Sequence, residues 1–221
     1  MSAIGMASTS PSVFSIRTLS ERLVNYRPPE PGPEMKELRP AAVLAPLFQR
    51  GGQWQLLLHR RPNHSLEHPG EVAFPGGKLE ASDPDLVYCA LREANEEMGI
   101  APNHVTVLGQ LDPVNTRTGY LMYPVVGLLP NDYHFQPNDQ EVDILMEVAL
   151  DWLFDEHSLR YEARMQSDGT LLRRYTYVSA SHLIFGATAL ILGQLLTMAS
   201  VKETPNGGAS VPISRNKEAL G

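Results

Sequence analysis

Residues 82–100 read SDPDLVYCALREANEEMGI, and the division of the rest follows from this stretch. Asp83 is a side chain suited to cap a helix, and Pro84 suits a first helical position. Gly99 suits the left-handed stop beyond a last turn. At about 100° per residue, Val87, Ala90, Leu91, Ala94 and Met98 form one apolar stripe, which is expected to face a core. The acids fall elsewhere. Glu93 and Glu97 stand about 40° apart on one flank of the stripe, and Glu96 lies nearly opposite it, within i,i+4 reach of Arg92.

This placement is locally unfavourable. Like charges four residues apart repel by a few tenths of a kcal/mol, and the last turn of a helix favours cations over anions. Sequences break local rules where function demands it. A hard divalent cation, which takes carboxylate oxygens, removes the conflict. Taken alone, the three glutamates read more readily as a solvated helix face than as a metal site. Just upstream, Phe74-Pro75-Gly76-Gly77 ends a short apolar run. Paired glycines let a backbone pass close to another group and leave its amides and carbonyls open to phosphate or metal, although alone they read as a turn.

Working outward, residues 15–25 carry Ile16, Leu19 and Leu23 at helical spacing. Residues 27–40 hold five prolines and read as an extended linker. Residues 41–48 suit a buried strand, Gly51-Gly52 a turn, and residues 54–59 a returning strand. Further strands are expected at 72–74, 105–111, 121–129, 142–148 and 172–178, with a polar loop at 131–139 and a short helix around Trp152. The class is α+β, with a mixed sheet carrying packed helices. Residues 1–40 form an N-terminal helix and linker, 41–200 the main domain, and 201–221 a disordered tail.

Composition excludes several classes. Of 221 residues, 43% are hydrophobic and 19% charged, which suits one globular domain with a filled core. A net charge of -7 opposes a polyanion such as DNA, so no nucleic-acid partner is expected. The single cysteine, Cys89, allows no internal disulfide and fits a reducing compartment. It reads as a small buried side chain. Residues 1–13 lack the basic start and apolar run of a secretory leader, so the expected location is cytoplasmic. Residues 183–201 are almost wholly apolar and near the length of a bilayer span. Gln194, Thr188, Thr197, Ser200, Gly186 and Gly193 interrupt the run, so a buried C-terminal core helix is expected instead of a membrane anchor.

Gly77, Asp83, Arg92, Glu93, Glu96, Glu97, Gly99 and Ile100 together resemble the Nudix box: glycine, a spacer, an acid, then Arg-Glu-x-x-Glu-Glu-x-Gly. The helical half matches throughout. Asp83 stands where the general box has Glu, and the spacer from Gly77 to Arg92 is one residue longer. That longer spacing resembles the coenzyme A pyrophosphatase branch. So does the preceding LLHRRPNHSLEHPGEVAFPGG, through Leu57, Leu58, Arg61, Gly70, Phe74, Pro75, Gly76 and Gly77. Pro62 and Leu66 depart from that branch, which has Ser or Ala and then Arg at those places. Residues 124–129 and 185–189 extend the resemblance, which covers about residues 41 to 196.

The resemblance implies a Nudix α/β/α sandwich. It also implies hydrolysis of coenzyme A or a derivative to 3′,5′-ADP and 4′-phosphopantetheine, with Mg²⁺ or Mn²⁺. Glu93 and Glu97, sharing a flank beside Gly76-Gly77, are the expected metal ligands. Glu96 is expected as a further ligand or base, or as the partner of Arg92. Arg92 is expected to orient a glutamate through its fork. Glu141, beyond the polar loop, is one candidate general base and reads equally well as a solvated loop-edge glutamate. Arg60 and Arg61, ending a strand near the box, are candidate substrate contacts or ordinary surface charge, and Gly76-Gly77 are candidate substrate contacts. His68 reads as a surface or structural histidine, and Tyr120 and Tyr123 as sheet packing. Apart from a small diphosphate substrate, the partner in view is a second copy in a homodimer. The alternatives are a Nudix hydrolase of another nucleoside diphosphate derivative, such as ADP-ribose or a dinucleotide, and a Nudix-fold binding module without catalysis.

Overall fold

From Ala41 to Phe48 every residue is buried, which a strand satisfies only when both faces of its sheet are covered. The computed structural model describes residues 12–65, 67–165, 171–179 and 182–202. The order is β1 (Ser12–Phe14), α1 (Ile16–Asn25), β2 (Arg39–Arg50), β3 (Gln53–Arg60), β4 (Val72–Ala73), β5 (Gly76–Lys78) and α2 (Leu86–Met98). Then come β6 (Thr106–Gln110), β7 (Val114–Asn115), β8 (Tyr120–Leu128), β9 (Ile144–Ala149) and α3 (Leu150–Leu153). The chain continues through β10 (Leu159–Met165), β11 (Leu171–Ser179), β12 (His182–Ile184), α4 (Gly186–Ala199) and β13 (Ser200–Lys202).

Among the described residues the main sheet has eight strands along the path β4-β3-β2-β8-β6, with β5 on β2, β7 on β8 and β9 on β3. β2 and β8 run parallel, and the other pairs are antiparallel, so the sheet is mixed. Strand alternation splits the core in two. Ala42, Leu44, Phe48 and Leu57 face α2 and pack with Cys89, Ala90, Ala94 and Met98. Val43, Ala45, Leu47, Leu56 and Leu58 face the other way, toward Leu19 and Leu23 of α1 and Ile191, Leu192 and Leu195 of α4. Helices therefore cover both faces, the expected α/β/α sandwich.

The apolar run at 183–201 divides. Leu183 and Ile184 lie in β12, and α4 is 14 residues long. Among the described residues no helix is long and apolar enough to cross a membrane. Gln194, the polar break in the run, accepts the Asp112 N–H at 2.9 Å. Arg22 of α1 donates to the Thr197 and Met198 carbonyls at 3.1 and 2.9 Å, near the end of α4 where a cation is favoured. Within 27–40, Pro33–Glu37 makes a short 3₁₀ turn. The strand expected at 142–148 runs from Ile144 to Ala149, because the Val142 N–H is turned back to Asn138 O at 2.9 Å. Val201 and Lys202 pair with β1, and residues 203–221 lie outside the described residues.

Candidate active site

The helix that carries the acids begins later than the sequence suggests. Its cap is Asp85, whose Oδ1 accepts the Tyr88 N–H at 2.7 Å. Asp83 is engaged elsewhere. Its two oxygens accept from Arg92 Nε at 2.9 Å and Nη2 at 3.0 Å, and Oδ2 also takes the Glu80 N–H at 2.9 Å. A two-pronged charged pair is worth more than a neutral cap contact, and Asp85 is the acid next to the first turn. The helix ends at Gly99, with φ +65 and its N–H on Asn95 O at 2.9 Å, while the Ile100 N–H reaches Ala94 O at 3.3 Å. A left-handed glycine stop takes this form.

The buried stripe comprises Cys89, Ala90, Ala94 and Met98, with Val87 and Leu91 half-buried at its edge. Glu97 lies inside it and is 2% exposed. Two chain segments account for that position. The Gly76 N–H donates to Glu97 Oε2 at 2.9 Å. The polar loop beyond β8 ties onto the end of α2, with the Gln136 N–H on Met98 O at 2.9 Å and the Asn138 N–H on Glu97 O at 2.8 Å. These bonds satisfy carbonyls that the last turn leaves open. They also set Glu141 nearby, where its Oε1 accepts from Asn138 Nδ2 at 3.1 Å.

Both glycines are required where they stand. Gly76 has φ +154, and a Cβ there would meet Val43 Cα at 2.6 Å. A Cβ on Gly77 would lie 2.5 Å from the Glu93 carboxylate. Glu93 thus packs on bare backbone, with Arg92 Nη2 3.0 Å from its Oε1. Arg92 also reaches Glu96 at 3.0 Å and the Lys78 carbonyl at 3.3 Å. It therefore braces Asp83, Glu93 and Glu96 against the β5 loop.

The electrostatics suit a cation. Burial pushes the Glu97 carboxyl up to about 8. Arg61 and the Gly76 N–H pull it down, whereas Glu93 and Glu141 push it higher. Glu93 is also raised, first by burial, against the pull of Arg92. Two adjacent carboxylates that are held reluctant to ionise form a donor set that a divalent ion stabilises as anions. Among the described residues no group of three or more His, Cys, Asp or Glu side chains is arranged to hold a metal. Glu93 and Glu97 fit the other arrangement, in which one or two carboxylates share a Mg²⁺-sized ion with water and substrate phosphate.

Beside them opens a cleft of about 310 Å³ lined by Arg61, Ser65, Glu67, Lys78, Gln140 and Glu141. Two of its lining side chains, Arg61 and Lys78, are cations. Arg60 is not in this lining. Along β3, Leu57 and His59 face α2, so Arg60 turns to the other face and ion-pairs with Asp143. Glu96 also points away; its side chain is 55% exposed. It lines a smaller hollow of about 230 Å³ on the outer side of α2 with Tyr88, Leu91 and Asn95. His68 bridges Glu71 and Thr118 at 2.9 and 3.2 Å. Tyr120 lies under the Arg39 guanidinium, 4.0 Å from ring centre to Cζ, and donates to Glu67 at 3.3 Å.

Lys78 and His59 are among the residues of the region not singled out from sequence. Lys78 follows Gly77 directly, but a lysine after a turn carries no signal of its own. His59 is fully buried, with Nε2 3.7 Å from Glu97 Oε2, and neither ring nitrogen has a hydrogen bond of normal geometry. Burial lowers its pKa to about 3, helped by the Arg61 charge and opposed by the Phe74 backbone, so the ring is neutral. The strand alternation that turns Leu57 toward α2 was the available clue.

Residues 38–166 match the model of the NUDIX domain. The chain is 40% identical over 189 residues, 86% of its length, to the full length of a Photorhabdus laumondii protein named Uncharacterized Nudix hydrolase NudL. It is 38% identical over 187 residues, 84% of this chain and 95% of the relative, to the protein of the same name from Yersinia enterocolitica. Among solved structures it is similar to RenU, a Nudix hydrolase from M. smegmatis, at 26% identity, 50% of this chain, 70% of that chain and a TM-score of 0.43.

Proposed function

Because this chain belongs to the Nudix hydrolase family and is a pyrophosphohydrolase, we propose that the bond it hydrolyses is the pyrophosphate of coenzyme A or a derivative. The products are 3′,5′-ADP and a 4′-phosphopantetheine. The observation that carries this reading is the stretch from Leu57 to Gly77, which resembles the coenzyme A branch and whose Arg61 lines the cleft beside Glu97.

Nudix hydrolases generally use divalent cations; in this reading Glu93 and Glu97 would hold one, Mg²⁺ or Mn²⁺. When bound, such an ion polarises phosphoryl oxygens and acidifies water. Arg61 and Lys78, which both line the cleft, hold the diphosphate. Glu141 is the base that takes the proton of the attacking water, since it lines the same cleft and its charge acts on both Glu93 and Glu97. Arg92 holds Glu93 in place without touching substrate. Glu96 serves as its outer counter-charge.

The test is product analysis after the purified protein meets coenzyme A with millimolar Mn²⁺ or Mg²⁺. Release of 3′,5′-ADP, lost in Glu97→Gln, is the expected result. Cleavage of another diphosphate in place of coenzyme A would overturn the substrate and point to Pro62 and Leu66 as marks of a changed specificity. Tight ligand binding without turnover would make the chain a binding module.

A further inference from the structure

We propose that His59 is a positioning residue for Glu97: its Nε2–H anchors Oε2 together with the Gly76 N–H and leaves Oε1 directed at the cation. The inference rests on the reading of Glu97 as a metal ligand.

Three observations carry it. His59 has no exposed surface, and neither ring nitrogen makes a hydrogen bond of normal geometry, the Phe74 backbone offering only a loose one. A buried polar group without a well-formed hydrogen bond opposes folding, and an apolar residue such as the neighbouring Leu57 fills this face of β3 without that penalty. The nearest acid, Glu97 Oε2 at 3.7 Å, is just beyond hydrogen-bond range. That same oxygen already takes the Gly76 N–H at 2.9 Å. Contacts of this kind tighten when a site is loaded. Carboxylates that bind metals are commonly held by a hydrogen bond from behind, and removing that bond costs about 10–100-fold in metal affinity or activity. Gly76 and His59 belong to different strands, so the two donors fix the carboxylate from two directions.

The substitutions that separate roles are His59→Leu, which keeps bulk and removes the donor, and His59→Gln, whose amide nitrogen stands near the place of Nε2. Metal-free wild type, both variants and Glu97→Gln are titrated with Mn²⁺, with the free ion followed by electron paramagnetic resonance. Melting temperatures are taken without metal. The expected result is a loss of Mn²⁺ affinity of about tenfold or more in His59→Leu, a melting temperature at or above wild type in the same variant, and affinity largely restored in His59→Gln. Equal affinity in His59→Leu and wild type overturns the inference. So does an equal loss in both His59 variants, which marks a packing role, and this comparison stands even where His59→Leu lowers the melting temperature. Unchanged binding in Glu97→Gln overturns the ligand assignment and the inference with it. Loss in Glu97→Gln with none in His59→Leu overturns the inference alone.

Discussion

The Gly76 N–H donates to Glu97 Oε2 at 2.9 Å, joining a strand and a helix 21 positions apart. The bond holds a carboxylate in the interior at a cost to the fold. In the metal-free protein Glu97 titrates near 8, against about 4.3 in an unfolded chain. The folded state therefore holds the extra proton between those values, and stability falls as pH rises from about 4.3 to about 8. Glu97→Gln is expected to melt above wild type at pH 8 and higher without metal, by about 2–4 °C per kcal/mol recovered. The gain should vanish below about pH 4. Turnover should fall by orders of magnitude in the same variant. Calorimetry with chelator, beside a rate assay, checks both halves, and near-normal turnover would sink the role of Glu97.

Gly77→Ala tests the packing of Glu93 on bare backbone. The added methyl enters the space of the Glu93 carboxylate, 2.5 Å away, so the acid must move. A misplacement of about 1 Å can cost on the order of 10²-fold in rate. Turnover is expected to drop by that order with little change in circular dichroism. An unchanged rate would place Glu93 outside the reaction.

Arg60 and Arg61 are neighbours with opposite expectations. Arg61→Ala removes a cation from the cleft, and KM for the diphosphate should rise about tenfold or more. Arg60→Ala breaks a half-exposed pair with Asp143, worth roughly 0–1 kcal/mol, and should shift KM less than about twofold. Steady-state kinetics of the two variants decide it; reversed effects would put the wrong arginine in the cleft.

Asp83→Asn probes the brace on Arg92. The Arg92 fork holds the Asp83 carboxyl down to about 2, against about 3.9 unfolded. Its contribution to stability is therefore present above about pH 3.9 and lost as pH falls through about 2. The variant should melt below wild type at pH 7, and the two curves should converge near pH 2. A gap that persists at pH 2 would mean that the loss comes from packing.

The helix and its acids were legible because period 3.6 and like charges four apart are local properties of 19 residues. Which strand residues face α2 was readable in part, since Leu57 and Leu58 alternate between two cores. The start of α2 was not. Asp83 and Asp85 are equally good caps in isolation, and the choice depends on Arg92, nine positions from Asp83 in sequence. The burial of Glu97 was also hidden, because it depends on a loop at 136–138 that folds back onto the last turn. That Arg60 pairs with Asp143 instead of lining the cleft was hidden for a simpler reason. Two adjacent arginines at a strand end look alike until the pleat assigns them to opposite faces.

β1 and β13 lie side by side, with Val13 opposite Val201, and between them α1 gives Leu19 and Leu23 to the core on the α4 side. The strands nearest the two ends of the described chain thus close the molecule like a clasp. Unzipping either partner frees the other and loosens α1 and α4 together. Heat, denaturant or a protease acting at one end would therefore be felt at the opposite end of the polypeptide, on the face of the sheet away from the glutamates. Cutting before β2 would open the clasp and free Leu19 and Leu23 of α1 from one side of the sheet.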